Sequence, residues 1–285
     1  MENRDQSFLG TEPVGKLLVR LAVPTVIAQL VNMLYNIVDR IYIGHIAEVG
    51  SLALTGVGVC MPIIMIVTAF AALVASGSAP RASIALGRGD RETAEKLMGG
   101  SFSLQIAISL LLTAVLLLFG HNFLLAFGAS ENTIEYADNY LNIYALGTLF
   151  VELTLGMNAF ITAQGFATTG MLTVLIGAVC NIVLDPIFIF VLNMGVRGAA
   201  LATIISQAVS AVLVTRSLML MDGPTRLHLK RLSIKPHIMR MIIQIGLPAG
   251  IQSCMFSLSN VVIQSSVNSF GSIVIAGNAA GANVG

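Results

Sequence analysis

The sequence predicts an all-α integral membrane protein, and three observations carry that prediction. Of 285 residues, 56% are hydrophobic and only 10% are charged, against about 25% charged in an average soluble domain. The mean hydropathy is +0.87. The apolar residues also fall in unbroken runs long enough for membrane helices of ~20 residues. Such runs exclude an outer-membrane barrel, whose strands alternate over ~10 residues. With 15 basic and 14 acidic residues the net charge is +1, so there is no basic surplus for nucleic acid and none is expected as a partner. Cys60, Cys180 and Cys254 lie far apart, each in an apolar run. They fit neither a metal spacing nor a disulfide scaffold and read as small packing residues.

Hydropathy gives seven full spans and one cut span. The first, Leu17–Ile43, exceeds the 7–15-residue core of a signal peptide and carries Asn32, Asn36 and Asp39. The others are Leu52–Ala79, Leu97–Phe119, Tyr136–Ile161, Thr168–Leu192, Gly198–Leu220 and Ile238–Val267, with an eighth beginning near Ile273 and meeting Gly285 inside an apolar run. The resulting organisation is a cytoplasmic segment 1–16, a six-helix bundle 17–221, a cytoplasmic loop 222–237 and the start of a second bundle, 238–285. Arg4, Lys16 and Arg20 flank the first span. Arg81, Arg88, Arg91 and Lys96 are expected in the loop after the second, and Arg216, Arg226, Lys230, Arg231, Lys235 and Arg240 around the loop after the sixth. That places 13 of the 15 basic residues on one side, with only Arg40 and Arg197 on the other. The positive-inside rule then puts the N-terminus in the cytoplasm. The uncharged loop between spans four and five is placed by parity alone.

The chain echoes itself. The string ending at Pro24 (LAVP) matches that ending at Pro248 (IGLP), Asn36 matches Asn260 at the same offset of 224, and Gly50–Gly56 (GSLALTG) matches Gly271–Gly277 (GSIVIAG). A repeat unit of six helices is even, so both copies run in the same direction through the membrane, a known transporter arrangement. Two full repeats need roughly 450 residues, so the expectation is a chain that carries one bundle and opens a second.

Ionisable groups inside spans cost roughly 2.5–3.5 kcal/mol at a helix centre and need a reason. Three acids qualify: Asp39, Asp185 and Glu152. Asn32, Asn36 and Asp39 are spaced i, i+4, i+7, with Tyr35 one turn before Asp39. Asn181 lies one turn before Asp185, and Pro186 frees the carbonyl of Ile182. Together these make an oxygen-rich patch. Span one runs outward with Asp39 near its outer end. Asp185 lies roughly 12 Å from the outer end of span five, and Thr203 roughly 9 Å from the outer start of span six. All three therefore fall in the outer half of the bundle, where one site can hold them. Glu152 lies mid-span with no motif around it. Alternatively, Asp39 pairs with Arg40 or snorkels to the interface. Pro24 frees the carbonyl of Arg20 and is either a static kink or a hinge. Tyr136, Tyr140 and Tyr144 form an i+4 stripe that reads as packing or an interfacial belt. His45, His121, His228 and His237 lie in loops or at span ends, which argues against a buried histidine relay. Gly87–Asp90 (GRGD) matches the GxGD pattern of intramembrane aspartyl proteases, but it sits in a charged loop and reads as a turn.

These residues resemble a known family. Asn181–Phe190 (NIVLDPIFIF) followed by Met194–Gln207 (MGVRGAALATIISQ) is similar to spans five and six of the multidrug and toxic compound extrusion (MATE) transporters. Leu21–Ile46 resembles their first span, and ALGRGD resembles the turn after their second. Acids in both span one and span five resemble the DinF-like branch and its MepA-like drug exporters. The resemblance implies a twelve-helix, two-lobed V that works by alternating access, of which this chain holds the six-helix N-lobe and the first one to two helices of the C-lobe. It implies a coupling site for H⁺ or Na⁺ at Asp39, Asn181, Asp185 and Thr203, with no structural metal and no other cofactor. It also implies a substrate chamber near Asn32, Tyr35 and Asn158, to which Asn36 on the same stripe is added, with Pro24 as the hinge candidate.

The expected function is a secondary active multidrug antiporter of the plasma (inner) membrane. It would be multi-pass and monomeric, with the bilayer and a small-molecule drug or toxic cation as partners. A cationic drug and the coupling ion are expected to compete for the acidic patch. The competing readings are a lipid-linked precursor flippase, which favours cationic cavity residues, and the intramembrane protease. A seven-helix receptor would need its N-terminus outside, against the charge count. No P-loop, HExxH or G-x-S-x-G motif points to an enzyme.

Overall fold

The computed structural model describes residues 11–220, 225–229, 232 and 236–268, and their side chains except at 253, 254 and 256–268. Among the described residues seven α-helices follow one another: α1 (Val14–Gly44), α2 (Gly50–Gly87), α3 (Arg91–Ala126), α4 (Ile134–Ala163), α5 (Ala167–Pro186), α6 (Val196–Leu220) and α7 (Pro236–Asn268). No strand occurs among the described residues. The first six are long and apolar enough to cross a membrane. The predicted eighth span and the second copy of the GSxxxxG block lie outside the described residues.

The connections among the first six helices are short. The α1–α2, α3–α4 and α5–α6 turns share one end of the bundle, here the Asp39 end; the α2–α3 and α4–α5 turns share the other, the Asp90 end. α4 is the central helix, with 61% of its most apolar stretch buried, whereas the corresponding figure for α1 is 0%. α4 is flanked by α2, α3 and α6, and α1 lies on α5. Apolar residues gather in two clusters. One, around Val57, Ile63, Leu124, Leu141 and Ile189, fills the Asp39 end. The other, around Leu97, Met98, Phe160, Val214 and Ile242, fills the Asp90 end. Exposed Leu, Ile, Val and Phe cover the outer surface, as expected where lipid replaces water.

The turn at Gly87–Asp90 is tighter than the charge pattern implied. α2 continues to Gly87 and α3 starts at Arg91, so Arg81 lies within α2, and Arg91 and Lys96 within α3, rather than in a loop. Hydropathy ends a span where charge begins, but a helix continues past the bilayer as long as its backbone bonds hold. The turn itself uses Gly89 at φ 78°, a conformation glycine adopts without a Cβ clash. Asp90 caps α3 by accepting the Thr93 amide at 3.0 Å. This polar, exposed turn is what the GxGD string builds here.

Pro24 lies inside α1, which is helical from Val14 to Gly44 without interruption. Pro248 occupies the matching place in α7. α5 behaves differently. Pro186 ends its α-helical part, and Ile187–Val191 follow as a π-helical turn closed by the Leu192 amide on the Ile187 carbonyl at 2.9 Å. The missing N–H of proline releases the ladder at that point, and π-turns often mark functional sites. α7 crosses α2 at backbone contact. Gly77 faces the Ile242 carbonyl, and Gly246 faces the Leu73 carbonyl, so neither position has room for a Cβ.

Candidate functional site

α1 and α5 bring Asp39 and Asp185 together. Their carboxyls are close enough for each to act on the other. Asp39 is 8% exposed and Asp185 is 0%. Asn181, also wholly buried, donates its amide Nδ2 to Asp185 Oδ1 at 3.2 Å. Three oxygens at this point have no partner: Asp39 Oδ1, Asn181 Oδ1 and Asp185 Oδ2. Buried oxygens without donors are costly. Two adjacent carboxylates cannot both stay ionised in a low-dielectric site without a counter-charge. The arrangement therefore fits one shared proton, or one hard monovalent cation held through oxygens.

Arg40 makes no ion pair with Asp39, although its charge acts on that carboxyl from the neighbouring position. Its exposed guanidinium donates Nη2 to Met61 Sδ at 3.3 Å. Asp39 is instead one of only two buried residues of α1, with Ile43. Thr203 sits half-buried on α6, with its side chain near the Tyr140 hydroxyl of α4. Tyr140 is close enough to Asp39 to feel its charge. Thr203 thus joins the acid pair through a tyrosine. Tyr140 and Tyr144 are buried and stack with ring centres 6.2 Å apart. The tyrosine stripe, read from sequence as packing or a belt, has one member beside the carboxyls. Arg197 ties α6 to α4 at this end by donating to Asn139 Oδ1 from Nε at 3.0 Å and Nη2 at 2.8 Å.

Next to the pair lies a cavity of about 380 Å³ between α1, α4, α5 and α6. Asn32, Tyr35 and Asn158 line it. Asn158 is held by donating Nδ2 to the Gly170 carbonyl and Thr173 Oγ1, both at 3.1 Å. Asn36 is not on the wall; it is exposed and donates to the Asn32 carbonyl at 2.7 Å. The face of α1 that meets the cavity runs through Thr25, Ala28, Gln29, Asn32 and Tyr35. Gln207 of α6, which the sequence reading did not single out, lines the wall and donates Nε2 to Tyr35 Oη at 3.5 Å. Ser206 and Ser210 line it too. With Thr203 they form a polar stripe at helical spacing on α6, the same signal that singled out α1. The wall carries no Asp, Glu, Lys or Arg, so the acid pair stands beside the cavity rather than in it.

A family model described as MatE matches residues 24–187, more than half of the chain and including both α1 and α5 acids. The chain belongs to the MatE family. It is 26% identical over 276 residues to the multidrug export protein MepA of Staphylococcus aureus, covering 97% of this chain and 61% of that protein. A transporter of the MOP superfamily from Pyrococcus furiosus, described as having a binding pocket of reverse polarity that suggests a different function, superposes with a TM-score of 0.88 at 26% identity. The match covers 100% of this chain and 62% of the other. A MATE structure in the bent conformation superposes at 0.86 with 28% identity, covering 97% of this chain and 61% of that one. The chain therefore spans about three fifths of the length of these relatives. Its fold is the MatE fold over that part, and it is a multi-span membrane protein of a transporter family.

Proposed function

We propose that the protein works as a secondary active multidrug antiporter, exporting organic cations or amphipathic drugs in exchange for H⁺ or Na⁺. The observation that carries this reading is the Asp39–Asp185 contact, completed by Asn181 and set beside the cavity. One proton or one Na⁺ neutralises the pair. Without it, the two carboxylates repel across the α1–α5 contact. The ion therefore biases how α1 lies against α5, and α1 forms one wall of the cavity. Tyr35 is the link: it lines the cavity and lies within the electrostatic field of both acids. The uncharged wall, which mixes polar and apolar side chains, suits amphipathic guests of varied structure and offers no cation to an anionic lipid-linked precursor, which disfavours the flippase reading. The export activity named for MepA supports the same direction of transport.

The test uses the protein in proteoliposomes loaded with ethidium, driven by an imposed pH gradient or an imposed Na⁺ gradient. Efflux should follow one of the two gradients. The Asp39→Asn and Asp185→Asn variants should lose gradient dependence while still inserting and folding. Normal gradient-driven efflux in the double variant would falsify the assignment of coupling to this pair.

A further inference from the structure

A second buried acid takes no part in that site. Glu152 lies on α4, and its side chain is 0% exposed. Gln105 on α3 and Thr148, one turn before Glu152, are also 0% exposed. Five polar atoms of these three residues have no hydrogen-bond partner: both Glu152 oxygens, both Gln105 amide atoms and the Thr148 hydroxyl. The α3 amide reaches this place because Gly156, one turn after Glu152, has no side chain. The Gln105 amide occupies the position that a Cβ there would take. Ser101 and Ser109, at i−4 and i+4 from Gln105, are buried as well and satisfy themselves on their own helix, through the Leu97 and Ile106 carbonyls. The seam is polar at the level where the two apolar clusters meet: Val151 belongs to one cluster, and Leu104 and Leu153 to the other.

We propose that Glu152 is a second proton-binding site, held as a neutral carboxylic acid between α3 and α4. An ionised carboxylate there would need a cation, and the packed elements offer none. α2 has no Lys, Arg or His from Gly50 to Pro80, α3 none between Lys96 and His121, and α6 none between Arg197 and Arg216. The acid of α5, Asp185, belongs to the other site. Among titratable groups, Tyr144 on the same helix is the one that lies within the field of Glu152, and Tyr144 also lies within that of Tyr35. An uncompensated charge at such a place is strongly unfavourable. The neutral acid needs only an acceptor for its O–H, and Gln105 Oε1 and Thr148 Oγ1 are both free to accept. A proton is favoured over a metal cation because it needs no volume, and Gln105 is pressed against the Gly156 backbone. The cavity wall takes Thr154 and Leu155 from this stretch of α4, not Glu152. Along α4, Glu152 is twelve residues, about 18 Å, from Tyr140, which neighbours Asp39. The bundle then carries this acid and the Asp39–Asp185 pair at two depths.

This inference does not depend on any coupling role for Asp39 and Asp185, and its test separates the two. Infrared spectra of the whole protein in nanodiscs at neutral pH report the C=O stretch of protonated carboxyls. In Asp39→Asn, Asp185→Asn protein, one protonated-carboxyl band should persist, shift on transfer to D₂O, and vanish when Glu152→Gln is added. Glutamate labelled with ¹³C should move the same band in protein that keeps Glu152, which decides the matter even if the Gln variant does not fold. Three results would overturn the proposal: no band that responds to the glutamate label, a band lost when choline chloride is replaced by NaCl, or a band that never exchanges in D₂O. The second result would make Glu152 a cation ligand. The third would make its proton a locked structural one.

Discussion

Replacing Asn181 with alanine should weaken the protein's hold on its coupling ion by one to two orders of magnitude without altering its hold on the drug. The reasoning starts from the 3.2 Å hydrogen bond between Asn181 Nδ2 and Asp185 Oδ1, with both residues wholly buried. Asn181 also points an unpartnered Oδ1 into the same site. Alanine removes the donor that orients Asp185 and one of three free oxygens. A hydrogen bond to a charged group contributes about 1.5–3 kcal/mol, which is roughly a 10- to 150-fold change in an equilibrium constant. The assay is ethidium efflux from proteoliposomes at graded external pH or Na⁺, fitted for the half-saturating ion concentration and, separately, for the half-saturating dye concentration. The first should rise by the stated factor and the second should stay within about twofold, because Asn181 does not line the cavity. Asn36→Ala is the control: both asparagines sit four residues from a polar neighbour in sequence, but Asn36 is exposed and should change neither constant. The reasoning is refuted if Asn181→Ala leaves the ion constant within twofold of wild type, or if Asn36→Ala matches its effect.

Three further outcomes are expected. Single cysteines at Arg226 and Ser130, in a background lacking Cys60, Cys180 and Cys254, should label differently, Ser130 in intact cells and Arg226 only after permeabilisation; the reverse would invert the orientation read from basic residues. Gly77→Leu should separate α2 from α7, because the new side chain meets the Ile242 backbone carbonyl, which cannot swing aside as a side chain can; overpacking of this kind costs about 1–3 kcal/mol or more, and an unchanged melting temperature would count against the crossing. The Thr93 hydroxyl and amide beside Asp90 hold its carboxyl below the usual carboxylate range, so its stabilising cap is present above the unfolded-state value and is lost as pH falls through the folded one; Asp90→Ala should therefore lower the melting temperature at pH 7, with the deficit closing as the medium is acidified, and a deficit independent of pH would remove the cap from the explanation.

The helices were legible because a membrane helix announces itself twice, by hydropathy and by length. What hydropathy misplaced were the ends at Gly87 and Arg91, where charged residues continue a helix that an apolar window has already closed. Asp39 and Asp185 were legible as a pair because both are acids at the cost of burial, and because topology sets their depths independently. The rotation of α1 was not legible. Asn32, Asn36 and Asp39 share a helical face by spacing, but the cavity takes Asn32 and Tyr35 and leaves Asn36 outside, since a 100° step per residue leaves two adjacent faces open until α5 is in place. Tyr140 could not be told from a packing tyrosine, because what distinguishes it is the Thr203 hydroxyl on another helix. Gln105 was invisible for a similar reason: its place depends on the absent side chain of Gly156, fifty-one residues on.

One expectation from sequence changes when the site is seen in three dimensions. Had the acids lined the chamber, drug and coupling ion would exclude each other by occupying the same atoms, and only cationic drugs would be exchanged tightly. The chamber wall is instead uncharged, part polar and part apolar, and the carboxyl pair lies behind it, joined through Tyr35 and the α1–α5 contact. On the proposed function, exchange then rests on geometry rather than on shared ligands. Neutralising Asp39 and Asp185 lets α1 settle against α5, and α1 supplies Thr25, Gln29, Asn32 and Tyr35 to the wall, so the ion alters the chamber without entering it. Selectivity for charge is then weak and selectivity for shape is set by α1. A neutral amphipathic guest and a cationic one of equal size should compete for the chamber on similar terms. The ion dependence of both should disappear together when either aspartate is neutralised.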